Sequence, residues 1–301
     1  MELSKYSKKQ KNEIIKSTFK QISKLEAIND FIKLRNMPNP CSGYGSYGTK
    51  LINKFTLLER LSTKGRSGYS YFDLYHNGEY LKTKNYVDKL FKYYKNRRPA
   101  NINYNKFLYD IFGLYFGRPH IFKPTIAMYI YCMYKPTSIL DMTMGWGGRL
   151  VGACALDIKK YTGIDLNKNL EIPYKNMIEI LDPLCDTEIE LYFGDALDFN
   201  YESYYYDLVL TSPPYYNIEI YGNQIKKTKD EWNNNFYIPL ITKSYNGLSI
   251  GGHYCLNIPI YLYKDIAVPL LGEAQQSIPL ILVSRHNQKT TYKEYIYVWK
   301  K

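Results

Sequence analysis

Residues 138–156 read SILDMTMGWGGRLVGACAL. The run from Ser138 to Asp141 has the length and composition of a short strand buried on both faces. It stops on an acid. Glycines at 145, 147 and 148 then turn the chain, and an apolar helix is predicted from Arg149. Glycine lets backbone approach a ligand closely, and the start of the following helix offers free N–H groups. A strand, a glycine turn and a helix in this order open a βαβ unit, so this stretch points to a parallel sheet with a ligand at its strand ends.

The same texture continues outward to the C-terminus. Strands are predicted near 138–142, 161–165, 188–193, 207–211, 252–257, 279–284 and 293–299, with helices near 124–134, 148–157, 168–181, 230–247 and 264–275. The fold class expected is α/β, a Rossmann-like sheet covered on both faces. The second strand ends at Asp165 in GIDLN, where a carboxylate typically accepts both hydroxyls of a ribose. The third ends in GDALDF, which puts Asp195 beside an adenine. Each acid alone reads equally well as a helix N-cap; three successive strand ends together point to a nucleoside cofactor. A dinucleotide would call for G-x-G-x-x-G, and D-x-x-x-G-x-G-G-R does not have that spacing.

The fourth strand runs into TSPPYYN, residues 211–217. Two prolines remove two backbone donors and fix two φ angles, so the strand ends on a stiff corner.

Charge divides the chain. The net charge is +12, yet residues 1–120 hold 23 Lys and Arg against 9 Asp and Glu, and residues 121–301 hold 17 against 19. A concentrated basic region attracts polyanions, nucleic acid first among them. Within it Lys64, Arg66, Lys92, Lys95, Arg97 and Arg98, interleaved with tyrosines, are the candidates for phosphate contacts. Apolar positions at Ile14, Ile15, Phe19, Ile22, Leu25 and Ile28 predict helix over residues 1–35, and MPNPCSGYGSYGTK (37–50) reads as a loop. The expected organisation is therefore a basic, mainly helical region over 1–115 and a sheet domain over 116–301.

No stretch approaches the roughly 20 apolar residues of a membrane span, and MELSKYSKKQKNEIIKS is too polar for a secretory leader, so a soluble, cytoplasmic protein is expected. Five cysteines stand singly with no CxxC pair, which predicts neither a zinc site nor a disulfide framework, and Pro40-Cys41 reads as chance. The 34 tyrosines, with heavy use of Lys, Asn and Ile, match what AT-rich coding produces.

Three stretches resemble the S-adenosylmethionine (SAM)-dependent amino-methyltransferases of DNA. FKPTIAMYIYCMYKP (122–136) resembles that family's Lys-Pro helix, DMTMGWGGRL its Asp-Pro-Phe-x-Gly-x-Gly loop, and TSPPY its catalytic (D/N/S)-P-P-(Y/F/W) motif. The resemblance covers roughly residues 115–300, and the catalytic motif is its most specific part. It implies a methyltransferase sheet ending in an antiparallel hairpin, SAM as cofactor, and methylation of N4 of cytosine or N6 of adenine in a base flipped out of duplex DNA. It implies cofactor contacts from Lys123, Pro124, Asp141, Thr143, Gly145, Gly147, Asp165, Asp195 and Thr211. It makes Ser212, Pro213, Pro214 and Tyr215 the catalytic group. The Ser212 hydroxyl and Pro213 carbonyl would accept the amino hydrogens, and Tyr215 would stack on the base. Serine at 212 leans toward cytosine. The sequence departs from the family at Met142, at Thr143 in place of Phe, at Trp146 between two glycines, and at Gly148-Arg149. An enzyme acting on RNA and a catalytically inactive nucleic-acid-binding relative are the alternatives; a methyltransferase for a protein glutamine amide fits the basic front end less well.

Overall fold

The computed structural model describes residues 1–65, 67–97, 103–217, 227–280 and 294–301. Helices α1 (Lys8–Thr18), α2 (Lys24–Arg35), α3 (Thr49–Ser62), α4 (Tyr71–His76), α5 (Gly78–Lys82), α6 (Asn85–Arg97) and α7 (Tyr104–Ile111) form the N-terminal part. The helix predicted over 1–35 is two helices. The Ser23 hydroxyl accepts the Glu26 N–H while the Glu26 carboxylate accepts the Ser23 N–H, a capping box that starts α2 afresh. Hydrophobic spacing carries through this break because Ile22 keeps the period.

From α8 (Pro124–Tyr134) the chain alternates: β1 (Ser138–Asp141), α9 (Gly148–Ala155), β2 (Lys160–Asp165), α10 (Glu171–Leu181), β3 (Glu188–Phe193), β4 (Leu208–Thr211), α11 (Lys229–Trp232), α12 (Ile238–Gly247), β5 (His253–Ile258), α13 (Ile260–Leu262), α14 (Val268–Leu271), β6 (Gln276–Leu280) and β7 (Glu294–Lys300). The sheet runs β3-β2-β1-β4-β5-β7-β6. Strands β1 to β5 are parallel, and β7 is antiparallel to both β5 and β6. This is the Rossmann-like α/β sheet ending in an antiparallel strand pair that the sequence predicts. The sixth strand begins at Gln276, earlier than expected; residues 281–284 of that expectation lie outside the described residues. Strand order reverses between β1 and β4, so a crevice opens beyond their carboxyl ends. The glycine turn and the Pro-Pro corner both leave from there.

Packing does not follow the division expected at residue 115. Ala27, Phe31 and Leu34 of α2 and Leu51 and Ile52 of α3 share one core with α8, α9 and one sheet face. Fully burying Phe31, Leu34, Leu51 and Ile52 contributes about 1.5–3 kcal/mol each. The opposite face, with Leu140, Val209, Tyr254 and Leu256, packs on α12. A separate cluster joins α1, the end of α3 and α4 to α7. Arg35 fastens α2 to the sheet layer by paired 2.7 Å bonds to both Asp157 oxygens.

One cysteine expectation is overturned. Cys41 and Cys132 form a disulfide, with Cα atoms 5.6 Å apart, that ties the 37–48 loop to α8. The two are 91 residues apart in sequence, so only the docking of α2 and α3 on α8 brings them together. Among the described residues no helix is long and apolar enough to cross a membrane, and no cluster of His, Cys, Asp or Glu could hold a metal ion.

Candidate active site

The glycine turn is built inward from Asp141. Its carboxylate is fully buried; Oδ2 accepts from Arg149 Nε and the Tyr161 hydroxyl, both at 2.6 Å, and Oδ1 accepts from the Thr211 hydroxyl at 3.1 Å. Arg149 also donates to the Thr143 carbonyl. Burial alone would push the guanidinium down, but the Asp141 charge and hydrogen bond outweigh it and hold Arg149 firmly protonated. Burial first, and then the Asp141 charge, drives the Tyr161 phenol up, so it stays a donor. Arg149, one of the departures from the family pattern, is thus the counter-ion of the acid that ends β1. Asp141 holds the turn from within and does not face the crevice.

Other residues fix the outer side of the turn. Gly145 and Gly147 sit at φ 58° and 95°, the left-handed region where a side chain is strained. A Cβ on Gly148 would stand 1.7 Å from the Phe122 carbonyl oxygen, so only glycine lets the segment before α8 lie against the start of α9. That approach places the Lys123-Pro124 helix start beside the turn; Lys123 is exposed and Pro124 buried. The Tyr174 hydroxyl from α10 reaches the Met144 and Gly145 carbonyls at 3.2 and 3.1 Å. Trp146 is 6% exposed and packs in the core, which accounts for a large residue between two glycines.

The residues fit a nucleoside cofactor on one side of this turn. A Cβ at Gly145 would meet only the Thr143 carbonyl within 4 Å, so bare backbone faces outward there. Asp165, at the end of β2, accepts the Gly145 and Asn167 N–H groups at 2.8 Å, one on each oxygen. Each oxygen keeps a lone pair for a ribose hydroxyl. Burial pushes this carboxyl up to about 6 against the pull of those two N–H groups. Asp195 is exposed two residues beyond Phe193, the register partner of Asp165, and accepts the Leu197 N–H at 2.9 Å as an N-cap. Its N-cap reading and its cofactor reading are both compatible with that position.

Thr143 and Thr211 link the two turns. Thr211 gives its hydrogen to Asp141, so the Thr143 hydroxyl must donate across the 2.7 Å gap to Thr211. Thr211 is fully buried. The pair acts as a latch between the glycine turn and the corner that follows.

At the corner, Ser212 Oγ lies 3.1 Å from Asn257 Oδ1 and 3.2 Å from the Tyr215 hydroxyl. Asn257 follows Leu256, the register partner of Thr211, and its Nδ2 is anchored on the Tyr295 carbonyl at 3.1 Å. That anchor turns Oδ1, a pure acceptor, toward Ser212. The serine hydrogen therefore points away from the crevice, and its lone pairs remain for a donor. No hydrogen bond among the described residues uses the Pro213 carbonyl. The Tyr237 hydroxyl clasps the corner from below, donating to the Pro214 carbonyl at 2.6 Å and accepting the Tyr216 N–H at 2.8 Å. Tyr216 is held at φ 51°, stacked on Tyr261 with ring centroids 5.6 Å apart. The Tyr215 ring is half-buried, with its hydroxyl 3.0 Å from the Asn257 carbonyl and 3.1 Å from Glu294 Oε1.

The sequence reading missed Arg149, Tyr161, Tyr174, Tyr237, Asn257 and Glu294. Only Asn257 carried a signal, as the amide in the otherwise apolar end of HYCLNI. Where they are described, the basic candidates are divided between the segment after α3 and helix α6. Lys64 is half-buried after α3, exposed Lys92 pairs with Asp88 at 2.8 Å, and Lys95 is exposed on the same helix, which ends at Arg97. Arg66 and Arg98 lie outside the described residues. A groove of about 490 Å³ between α1, α3 and the start of α10 shares no residue with either turn.

No protein-family model matches the chain, and no curated protein matches it in sequence. Solved structures do resemble it. A methyltransferase from Geobacter sulfurreducens is 12% identical with a TM-score of 0.38, over 75% of this chain and 96% of that one. TrmN from Thermus thermophilus is 17% identical with a TM-score of 0.40, over 59% of this chain and 48% of that one. An rRNA methylase from Streptococcus thermophilus is 15% identical with a TM-score of 0.36, over 54% and 86%.

Proposed function

We propose that this chain is a SAM-dependent methyltransferase that modifies an exocyclic amino group, N4 of cytosine or N6 of adenine, in DNA. The observation that carries the reading is the corner after β4. There a serine whose hydrogen is directed onto Asn257 and a carbonyl that no described residue uses sit at one rigid strand end. An exocyclic amino nitrogen is a poor nucleophile because its lone pair is delocalised into the ring. Ser212 Oγ and the Pro213 carbonyl would bind its two hydrogens and draw the nitrogen toward tetrahedral geometry. Pro213, Pro214 and the Tyr237 clasp hold both acceptors in place beforehand, so they need not reorganise during the reaction. Tyr215 offers its ring to a base turned out of the stack.

Asp165, Gly145 and Asp195 would hold the cofactor's nucleoside, and Lys123 stands at the rim of the same turn. When bound, SAM supplies an electrophilic methyl group. The Thr143–Thr211 latch keeps the cofactor turn and the acceptor corner next to each other, as direct in-line transfer requires. The basic surplus in residues 1–120 supports a polyanionic substrate. Nucleoside mass spectrometry after incubation with SAM and either mixed-sequence duplex DNA or total RNA tests the reading. We expect methyl on cytosine N4 or adenine N6 in DNA, lost by about a hundredfold in Ser212→Ala. Methyl only on RNA would keep the chemistry and change the substrate; methyl on neither would overturn the reading.

A further inference from the structure

We propose that Glu294 is the final acceptor of the proton that the base releases, reached through Ser212 and Tyr215. This rests on the reading under Proposed function. An amino nitrogen that gains a methyl while keeping both hydrogens carries one proton too many. A serine hydroxyl can take that proton only if it passes its own on.

The corner supplies the route. Ser212 Oγ is 3.2 Å from the Tyr215 hydroxyl, which is 3.1 Å from Glu294 Oε1. The Asn257 carbonyl at 3.0 Å and Oδ1 at 3.3 Å, which also neighbour that hydroxyl, are neutral acceptors that cannot hold a proton. Glu294 is the one carboxylate on this path among the described residues. Asn257, fixed through Nδ2 on the Tyr295 carbonyl, keeps Oδ1 against both hydroxyls and lines them up.

The step balances. One N–H bond of the methylated base breaks and its electron pair returns to nitrogen. The proton goes to Ser212 Oγ as the serine hydrogen swings from Asn257 Oδ1 to the Tyr215 oxygen, 3.2 Å away, and passes onto it, and the tyrosine hydrogen moves to Glu294. The products are a neutral methylated base, two intact hydroxyls and a neutral Glu294 carboxyl, which then gives its proton to water. Glu294, unlike Tyr215, belongs to no sequence motif: it is 79 residues beyond Tyr215 and reaches it because β7 lies beside β5.

The test is single-turnover methylation of mixed-sequence duplex DNA and of total RNA by wild type, Glu294→Gln, Glu294→Asp, Tyr215→Phe and the Glu294→Gln/Tyr215→Phe double variant. Glutamine keeps an oxygen for the tyrosine hydroxyl, so a purely positional role would survive the change while proton acceptance would not. We expect Glu294→Gln to slow transfer about a hundredfold with substrate affinity within twofold, and Glu294→Asp to recover a large part. The double variant should be no slower than the worse single, because both residues serve one path. Independently of activity, 3-fluorotyrosine at position 215 should change its 19F resonance between wild type and Glu294→Gln. Transfer by Glu294→Gln within twofold of wild type, with Ser212→Ala inactive, overturns the relay and leaves the methylation reading standing. A wild type that transfers methyl to neither substrate overturns both.

Discussion

Two turns leave neighbouring parallel strands at the same end of the sheet, and they are built in opposite ways. The turn after β1 is held by charge: a fully buried carboxylate and guanidinium clamp it from inside, and only its outer backbone is offered to a ligand. The corner after β4 is held by covalent stiffness and neutral hydroxyls. Pro213 and Pro214 fix its φ angles, and Tyr237 and Asn257 take up the polar groups not aimed at the crevice. The difference follows from what each turn would do. A cradle can spend a full charge on its own rigidity, whereas the corner keeps neutral groups directly on Ser212 and sets its carboxylate, Glu294, one hydroxyl further away.

The sharpest way to break this comparison is to remove the charge from the first turn. Asp141→Ala leaves Arg149 buried without its partner and should cost about 3–5 kcal/mol of unfolding free energy in a denaturant titration. Asp141→Leu combined with Arg149→Met should recover most of that, because two apolar residues need no counter-ion. Equal losses in the single and double variants would mean that the turn is held by something other than the pair. Gly148→Ala comes next. Its Cβ would press on the Phe122 carbonyl, a backbone atom that cannot swing aside, so a loss of about 2–3 kcal/mol is expected with the Lys123-Pro124 helix start displaced.

Most of the sheet was legible in the sequence, and for a physical reason. Strands buried on both faces must be short apolar runs, and the glycines and prolines that end them mark their boundaries. All seven strands fall on or beside the predicted runs. The supports of the site were not legible, because periodicity carries no information about partners far apart in the chain. Tyr237 lies 23 residues beyond Pro214, and Asn257 lies 45 beyond Ser212. The resemblance of the glycine turn puts Asp141 among the cofactor contacts, and nothing local announces that Arg149 and Tyr161 hold its carboxylate inward. Composition misled in a second way. AT-rich coding accounts for many tyrosines, yet Tyr161, Tyr174, Tyr215 and Tyr237 supply the hydroxyls that lock both turns.

The second turn should break more gently. Tyr237→Phe removes one hydroxyl and leaves the Pro214 carbonyl and Tyr216 N–H without that partner, at a cost of about 1–2 kcal/mol. Because the prolines still fix the corner, thermal stability should change little more than this, while kcat for methyl transfer should fall about tenfold with KM unchanged. A variant that loses stability but keeps kcat would mean that the prolines alone position the acceptors.

The smallest effect concerns the edge where the first turn meets its ligand. Burial raises the Asp165 carboxyl from 3.8 to about 6, so the folded protein holds this proton more tightly than the unfolded chain does. Its contribution to stability is therefore fully present below pH 4, is lost as pH rises toward 6, and stays lost above. A ribose, in contrast, needs both oxygens as acceptors and so favours the ionised form. Cofactor binding should then release a proton and strengthen as pH climbs through 6. At pH 5 roughly one-tenth of Asp165 is ionised, so calorimetric SAM affinity should be about tenfold weaker than at pH 8. Asp165→Asn should flatten both pH dependences together, since one carboxyl produces them with opposite signs. Flattening of the stability profile with the affinity profile intact would assign the ribose to another residue, and Asp195 at the next strand end would be the first to examine.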